Sequence, residues 1–468
     1  MLQRCLRLAL LLTIFCISHG FSSGQATIEI EINNTPQADD DYFGWSPIPS
    51  RIRSVGSPVA INVRVESSKR TTGGTNGEVH FGPFSVNRPT PSTWSASSSL
   101  SVTLPSNGAW KNFWVAGKES SSDGQDVTIS AVDAGSGMVL GTRLVMVRVR
   151  KDAESLTAIE IERFLAALTE LHDINGPAKT GANSKYLKYV HIHGEAFTGT
   201  GIHRDSAFPT WHRTMLLSLE RELQSIDPRV ALPYWKFDKP TTKLFTPQFI
   251  GKLNAVTGIV QFSNSNPMRF WKMPANSAIS NMTVGGPNPQ STFRLARFDD
   301  GATPANVSPS SVLNSMTYAL MHPLLEQRYH DSAHTKIGGW LGSAQSPKDP
   351  LFFLLHANVD RAWAEWQKGK SKFDETDVTA FSPQGIFAPG ASHQGNFRQD
   401  SQWPWNLNGG NQGTTDPSDD WPEFTFSLPP SPANHGPALT PLTGETLDFM
   451  DVLPGGLPHG YCYDKIPY

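Results

Sequence analysis

The sequence predicts a multidomain chain. An all-β, sandwich-like domain over residues 26–150 follows a leader at 1–25, and a mainly α domain over 151–468 is expected as a four-helix bundle with long loops. Two patterns predict this. From 26 to 150, apolar and polar residues alternate at period two in ATIEIEIN, AINVRVES, SLSVTLP, DVTISAVD and LVMVRVRK, as strands with one buried face do. After Lys151 apolar residues recur at helical spacing instead, in four stretches of similar length.

The leader explains itself. MLQRCLR is basic, LALLLTIFCI is an apolar run too short to serve as a bilayer anchor, and small residues follow in SHGFSSGQA, the plan of a secretory signal. A secreted or periplasmic location and no membrane anchor are expected. Cys5 and Cys16 leave with this segment, and Cys462 alone stays in the mature chain, so no internal disulfide is available. Sequons stand at Asn33, Asn281 and Asn306. At least six short strands separated by Gly, Ser, Pro and Asn then suggest a β-sandwich.

Of the four helical stretches, 155–172 has Ser155 or Thr157 as a candidate cap, and 212–226 stops at Asp227-Pro228. The others cover 311–330 and 351–368, and 240–310 and 370–450 read as long loops. Helices of matched length imply a bundle. Charged residues are 17% of the 468 and the net charge is −3, which excludes nucleic acid as the main partner.

Chemistry concentrates in histidine. Eight of the chain's 14 histidines fall between His191 and His356. His330 and His334 stand at i and i+4, one face of a helix, a spacing that can grip a metal. Either that pair or His356, inside apolar DPLFFLLHANVDRAW, would taken alone more often be core than ligand. His203 and His212 bracket a further segment, with His193 upstream in YVHIHGEAF. Six imidazoles without a thiolate suit copper.

The stretches YVHIHGEAF, GIHRDSAFPTWHRTMLLSLERELQ, VALPYWKFD, YHDSAHTKIGG and DPLFFLLHANVDRAWAEWQ resemble, in order, the two copper-binding regions of the tyrosinase family, the type 3 copper proteins. The resemblance covers roughly 150–468, from Arg150 to a closing Tyr461-Cys462-Tyr463. It implies two copper ions, one on His193, His203 and His212 and the other on His330, His334 and His356. His191 competes with His193, which the following Gly-Glu-Ala favours. Leu355 stands where many relatives have a second histidine. Gly201 lies near the place of a cysteine that many relatives crosslink to the ligand, so no thioether forms.

The resemblance further implies O2-dependent oxidation of o-diphenols to o-quinones, with monophenol hydroxylation open. The alternatives are an o-aminophenol oxidase and a haemocyanin-like reversible oxygen binder. Hydroxylation in the family uses a water held by a glutamate and by an asparagine after the first histidine of the second site. Here Asp331 is the follower, and Met321 and His322 stand where the glutamate is expected. Asp331 is therefore the candidate catalytic residue, as water holder or base; the plainer alternative is that it orients a neighbour. Asp349, Asp360 and Arg361 are expected to tether ligands or helices, Thr335 and Ala344 to line the entrance, and Phe208 to be wall. Expected partners are a phenolic small molecule and O2, with an autoinhibitory contact of the β-domain on the copper pocket as a further possibility.

Overall fold

The structure, a computed structural model, describes residues 26–34, 36–37, 41–69, 77–122, 124–172, 184–199, 202–254, 256, 259–270, 308–374, 376–381, 402, 404–405, 445–448, 450 and 460–468. The leader, Asn281, Asn306, Gly201 and much of the two loop-rich stretches lie outside the described residues.

Alternation becomes strands where it was expected. In β1 (Thr27–Ile32) the isoleucines face inward, and β3 (Ile48–Val55) buries every second residue. Their outward faces pair Glu29 with Arg53 and Glu31 with Arg51, directly opposite in register and each 2.6 Å apart. Trp110 lies under both guanidinium groups. Cross-strand ion pairs of this kind reinforce a register already set by the buried face.

β1 and β3 join β7 (Lys111–Glu119) and β5 (Glu78–Pro83) in one sheet, in the order β1-β3-β7-β5. β2 (Tyr42–Phe43), β9 (Val139–Val147), β8 (Val127–Asp133), β4 (Ile61–Lys69) and β6 (Ser99–Leu104) form the second, in that order. Ile30, Ile52, Phe81 and Val115 of one sheet share a core with Val63, Val65, Ile129 and Val145 of the other. Two facing sheets are compatible with the sandwich-like expectation.

The helical part corrects the expectation of a four-helix bundle. α1 (Ala158–His172), α2 (Lys185–Gly199), α3 (Ala207–Ile226) and α7 (Leu351–Lys370) are long, but the stretch 311–330 is no helix of matching length. It divides into α4 (Ser310–Asn314), α5 (Tyr318–Leu324) and a π-helical turn (Leu325–His330) that runs into α6 (Asp331–Ile337). Ser315 and Thr317 are extended, and the Ser315 carbonyl is taken by Trp366 Nε1 of α7 at 2.7 Å. Pro323 brings no N–H to its helix. Helical periodicity survives such interruptions, so the pattern ran on while the backbone did not. The second mismatch is α2, which lies outside the four expected helical stretches. Together with the large β portion, this gives a helical cluster around α3 and α7 and no plain bundle.

Other local expectations have simple physical outcomes. Thr157 and Glu160 form a reciprocal capping box, with Glu160 N donating to Thr157 Oγ1 and Thr157 N to Glu160 Oε2. α3 begins at Ala207, five residues before the expected start, because Pro209 sits in the first turn, where its missing N–H costs nothing. No helix among the described residues is long and apolar enough to cross a membrane.

Candidate metal centre

Six segments present the six histidines, one each. α2 carries His193, the loop before α3 carries His203, and α3 carries His212. The π turn ends on His330, α6 carries His334 and α7 carries His356. One ligand atom from each of His193, His203 and His212 lies within 4.8 Å of the others, and the same holds for His330, His334 and His356. The triads abut: His212 and His356 stack at 4.4 Å with 13° between their planes. His191 has no place in either group.

Hydrogen bonds set which nitrogen of each ring faces inward. Nδ1–H of His193 donates to Ala344 O at 2.6 Å, that of His212 to Phe208 O at 2.8 Å, and that of His334 to Leu341 O at 2.6 Å. His330 Nδ1–H donates to Asp331 Oδ1 at 2.9 Å. A carbonyl or carboxylate can only accept, so these four rings keep their proton on Nδ1 and present an Nε2 lone pair.

Metal-binding imidazoles are oriented in this way, and the inward nitrogens are left for a cation. Nε2 of His193 and of His212 is buried with no hydrogen-bond partner. Nε2 of His330 and of His334 each lie 3.2 Å from His356 Nε2. Lone pairs crowded in a dry site are unfavourable without a cation among them.

Burial favours the neutral rings that metal binding requires. It pushes His193 down to about 4. His203, His212, His334 and His356 are also depressed, first by burial and then by neighbouring imidazoles. Phe208 is fully buried and packs on His212 at 4.7 Å and His330 at 4.8 Å. Phe352 packs on His356 at 4.1 Å and His193 at 4.9 Å.

The triads open on a cavity of about 410 Å³ lined by Phe197, Arg204, Asp331, Thr335, Leu341 and Ser343 besides four of the histidines. Phe197 is 48% exposed at its edge. Thr335 is thus at the entrance, whereas Ala344 serves through its carbonyl. Asp331 is already engaged: besides His330, it pairs with Arg204 at 2.7 Å. Burial raises its carboxyl, but the bonds from His330 and Arg204 outweigh this and leave it below the usual range.

The sequence reading missed Arg204 and Glu326. Arg204 follows His203 with φ of 66°, a left-handed backbone that is uncommon outside glycine. Its N–H donates to both oxygens of Glu326, at 2.7 and 2.9 Å. Glu326 is 1% exposed, and burial lifts its carboxyl to about 7 against the lowering effect of Arg204. Its position one turn before His330 was the available signal.

Deeper along the same helices lies a buried ionic lattice. Arg150 binds Glu220 of α3 at 2.7 Å and Asp360 of α7 at 3.2 Å, and Arg213 binds Asp360 at 2.6 Å. The Tyr461 and Tyr463 hydroxyls donate to the Asp360 carboxylate, and Arg150 stacks on Tyr461 at 3.6 Å. Asp360 is one turn beyond His356, so the lattice sets the rotation of that ligand's helix. Asp349 Oδ1 accepts from Leu351 N at the start of α7.

Comparison with known proteins agrees with this geometry. The family model for the common central domain of tyrosinase matches residues 183–369. A tyrosinase of Streptomyces antibioticus is 34% identical over 245 residues, 47% of this chain and 83% of that protein. Haemocyanin β-C chain unit D of Helix pomatia is 28% identical over 233 residues, 47% of this chain and 51% of its own length. A solved polyphenol oxidase from Thermothelomyces thermophila aligns with a TM-score of 0.43 and 19% identity, covering 68% of this chain and 88% of that one. With 34% identity over an alignment that covers 83% of a bacterial tyrosinase, and with two histidine triads that fit copper, the chain belongs to the tyrosinase family of dicopper oxidoreductases.

Proposed function

We propose that the protein oxidises o-diphenols to o-quinones with O2, one copper being held by His193, His203 and His212 and the other by His330, His334 and His356. The observation that carries this is the pair of abutting triads with tautomers fixed by backbone carbonyls, opening on one cavity. When bound, the coppers supply the redox chemistry, taking electrons from the diphenol and passing them to O2.

The chain binds and orients. Phe197 and Leu341 offer apolar walls to a flat aromatic ring, while Arg204, Asp331, Thr335 and Ser343 form a polar rim. Asp331 accepts from His330 on one oxygen and from Arg204 on the other, so both are already engaged. We therefore assign it as a positioning residue and restrict the reaction to diphenols. Oxygen uptake by the copper-loaded protein tests this. Rapid uptake with catechol and little with the matching monophenol is the expected outcome. Equal turnover of both refutes the restriction. Reversible oxygen binding without turnover refutes the enzyme reading in favour of a carrier, and preference for an o-aminophenol reassigns the substrate.

Export, read from residues 1–25, belongs to the same proposal and is tested by finding the mature protein outside the cytoplasm. For residues 27–147 we propose bracing. Trp45 Nε1 donates to Tyr463 O at 2.7 Å and Trp45 N to Cys462 Sγ at 3.3 Å, and no described residue of 27–147 lines the copper cavity. A Cβ on Gly44 would meet Cys462 Sγ at 2.6 Å, so this approach requires glycine. An autoinhibitory cover predicts higher turnover when the contact is loosened by Trp45→Ala; bracing predicts lower stability and no gain in turnover.

A further inference from the structure

A second recess, away from the histidines, lies at the β5 edge of the first sheet. The chain leaving β5 loops back so that Phe81 and Ser97 exchange two backbone hydrogen bonds, at 2.7 and 2.9 Å. The loop between them walls an open groove of about 480 Å³, within the roughly 300–1,000 Å³ usual for ligand sites. Two aromatic rings line it, and both are fixed from behind. Phe84, 43% exposed, stacks on buried Trp114 of β7 at 5.7 Å with 14° between the rings. Trp94 rests on the backbone of Gly82, where a Cβ would come within 2.6 Å of its ring. A turn holds it there: Trp94 N donates to Thr90 O at 2.8 Å, and Thr90 N to Thr93 Oγ1 at 2.8 Å. Val86, also in the lining, is 92% exposed.

Apolar surface held open in this way marks an interaction site, and its chemistry narrows the ligand. Arg88 is the one charged residue in the lining, and it is engaged with a partner. The remaining polar groups are uncharged, on the exposed side chains of Ser85, Asn87, Thr93 and Ser95. An ion would find no counter-charge here. A purely apolar ligand would strip water from these hydroxyl and amide groups without replacing its hydrogen bonds. We propose that the groove binds an uncharged β-1,4-linked hexopyranose chain, whose sugar rings stack on Phe84 and Trp94. A pyranose with equatorial substituents has two flat faces of axial C–H and a rim of hydroxyls. The faces suit aromatic rings, and the rim suits Ser, Thr and Asn side chains, which both donate and accept. Pro83, Pro89 and Pro91 stiffen the loop, so little freedom is lost on binding. The groove shares no lining residue with the copper cavity. It would therefore hold the protein on a polysaccharide without altering the chemistry at the histidines.

The test is calorimetric titration of the copper-loaded full chain with cellohexaose and, separately, with chitohexaose. Each is taken to about 5 mM, a range that detects a Kd of about 0.5 mM. Saturable binding of at least one hexamer is expected, and the two arms tell a hydroxyl rim from an acetamido one. Trp94→Ala should weaken binding about tenfold, the worth of one stacked ring, while copper content and catechol turnover stay unchanged. Should that variant not fold, Phe84→Ala gives the same reading. A proline-rich decapeptide, the other kind of chain that aromatic grooves take, is titrated in parallel. No saturable binding of either hexamer overturns the proposal. So does an affinity unchanged in both variants, or a peptide that binds more tightly than both hexamers.

Discussion

Asp331 and Glu326 divide the work of holding ligands. The first receives the Nδ1 proton of His330 and the second fixes the strained backbone beside His203. Loss of such an outer partner costs about 10–100-fold in metal affinity, so Asp331→Asn should release copper to a chelator correspondingly sooner. Once saturated with copper it should still turn over catechol; abolished turnover at full loading would make Asp331 a base after all. Glu326→Ala removes the acceptor of the part-buried Arg204 N–H, and unfolding should show a loss of about 1 kcal/mol. The six histidines of the two triads were legible from residue type, spacing and family resemblance. Their orientation was not, because Ala344, Leu341 and Phe208 act through backbone carbonyls that every residue possesses.

Elements carry these residues, and their ends decide where the residues point. Glu154 accepts from the backbone N–H groups of Thr242, Lys243 and Leu244 at 2.8–2.9 Å. Burial raises its carboxyl, but those bonds win and leave it below the usual range. Its folded pKa is thus lower than its unfolded one, about 4.3, so the stabilisation is present above that pH and fades as pH falls through the folded value. Glu154→Gln should lower Tm by about 2–4 °C at pH 7, and the gap should narrow as pH falls from the unfolded value through the lower folded one. A gap that persists in acid would show that charge is not the cause. At this scale period two marked β1, β4, β6, β8 and β9 but not β2, β3, β5 or β7, and of the two cap candidates Ser155 and Thr157 the second opens α1. The stretch 311–330 escaped because its break at Ser315–Thr317 is stabilised by Trp366, a partner 51 residues away from Ser315.

Across the whole molecule, the β-sheets, the terminal tyrosines and the helices meet at Arg150. Trp45 reaches Tyr463, Tyr463 reaches Asp360, and Asp360 lies one turn from His356. Arg150→Met leaves Glu220 buried without its salt-bridge partner and Asp360 with Arg213 alone, which should cost about 3–5 kcal/mol in unfolding. The same variant should also hold copper less firmly, because the lattice rotates α3 and α7. Sequence alone suggested Arg150 and the Tyr461-Cys462-Tyr463 motif as the two ends of one unit. It could not show that they touch, since Arg150 and Tyr463 lie 313 positions apart. The central claim is that each histidine triad holds one copper and that both are needed for oxidation. Copper content, measured together with oxygen uptake on catechol, tests it most directly in the native chain, His212→Ala and His356→Ala. Two coppers per native chain, about one in each variant, and catechol oxidation only in the native chain are predicted by the metal-ligand geometry. Two coppers retained in either variant, or oxidation that survives the loss of one, would contradict it.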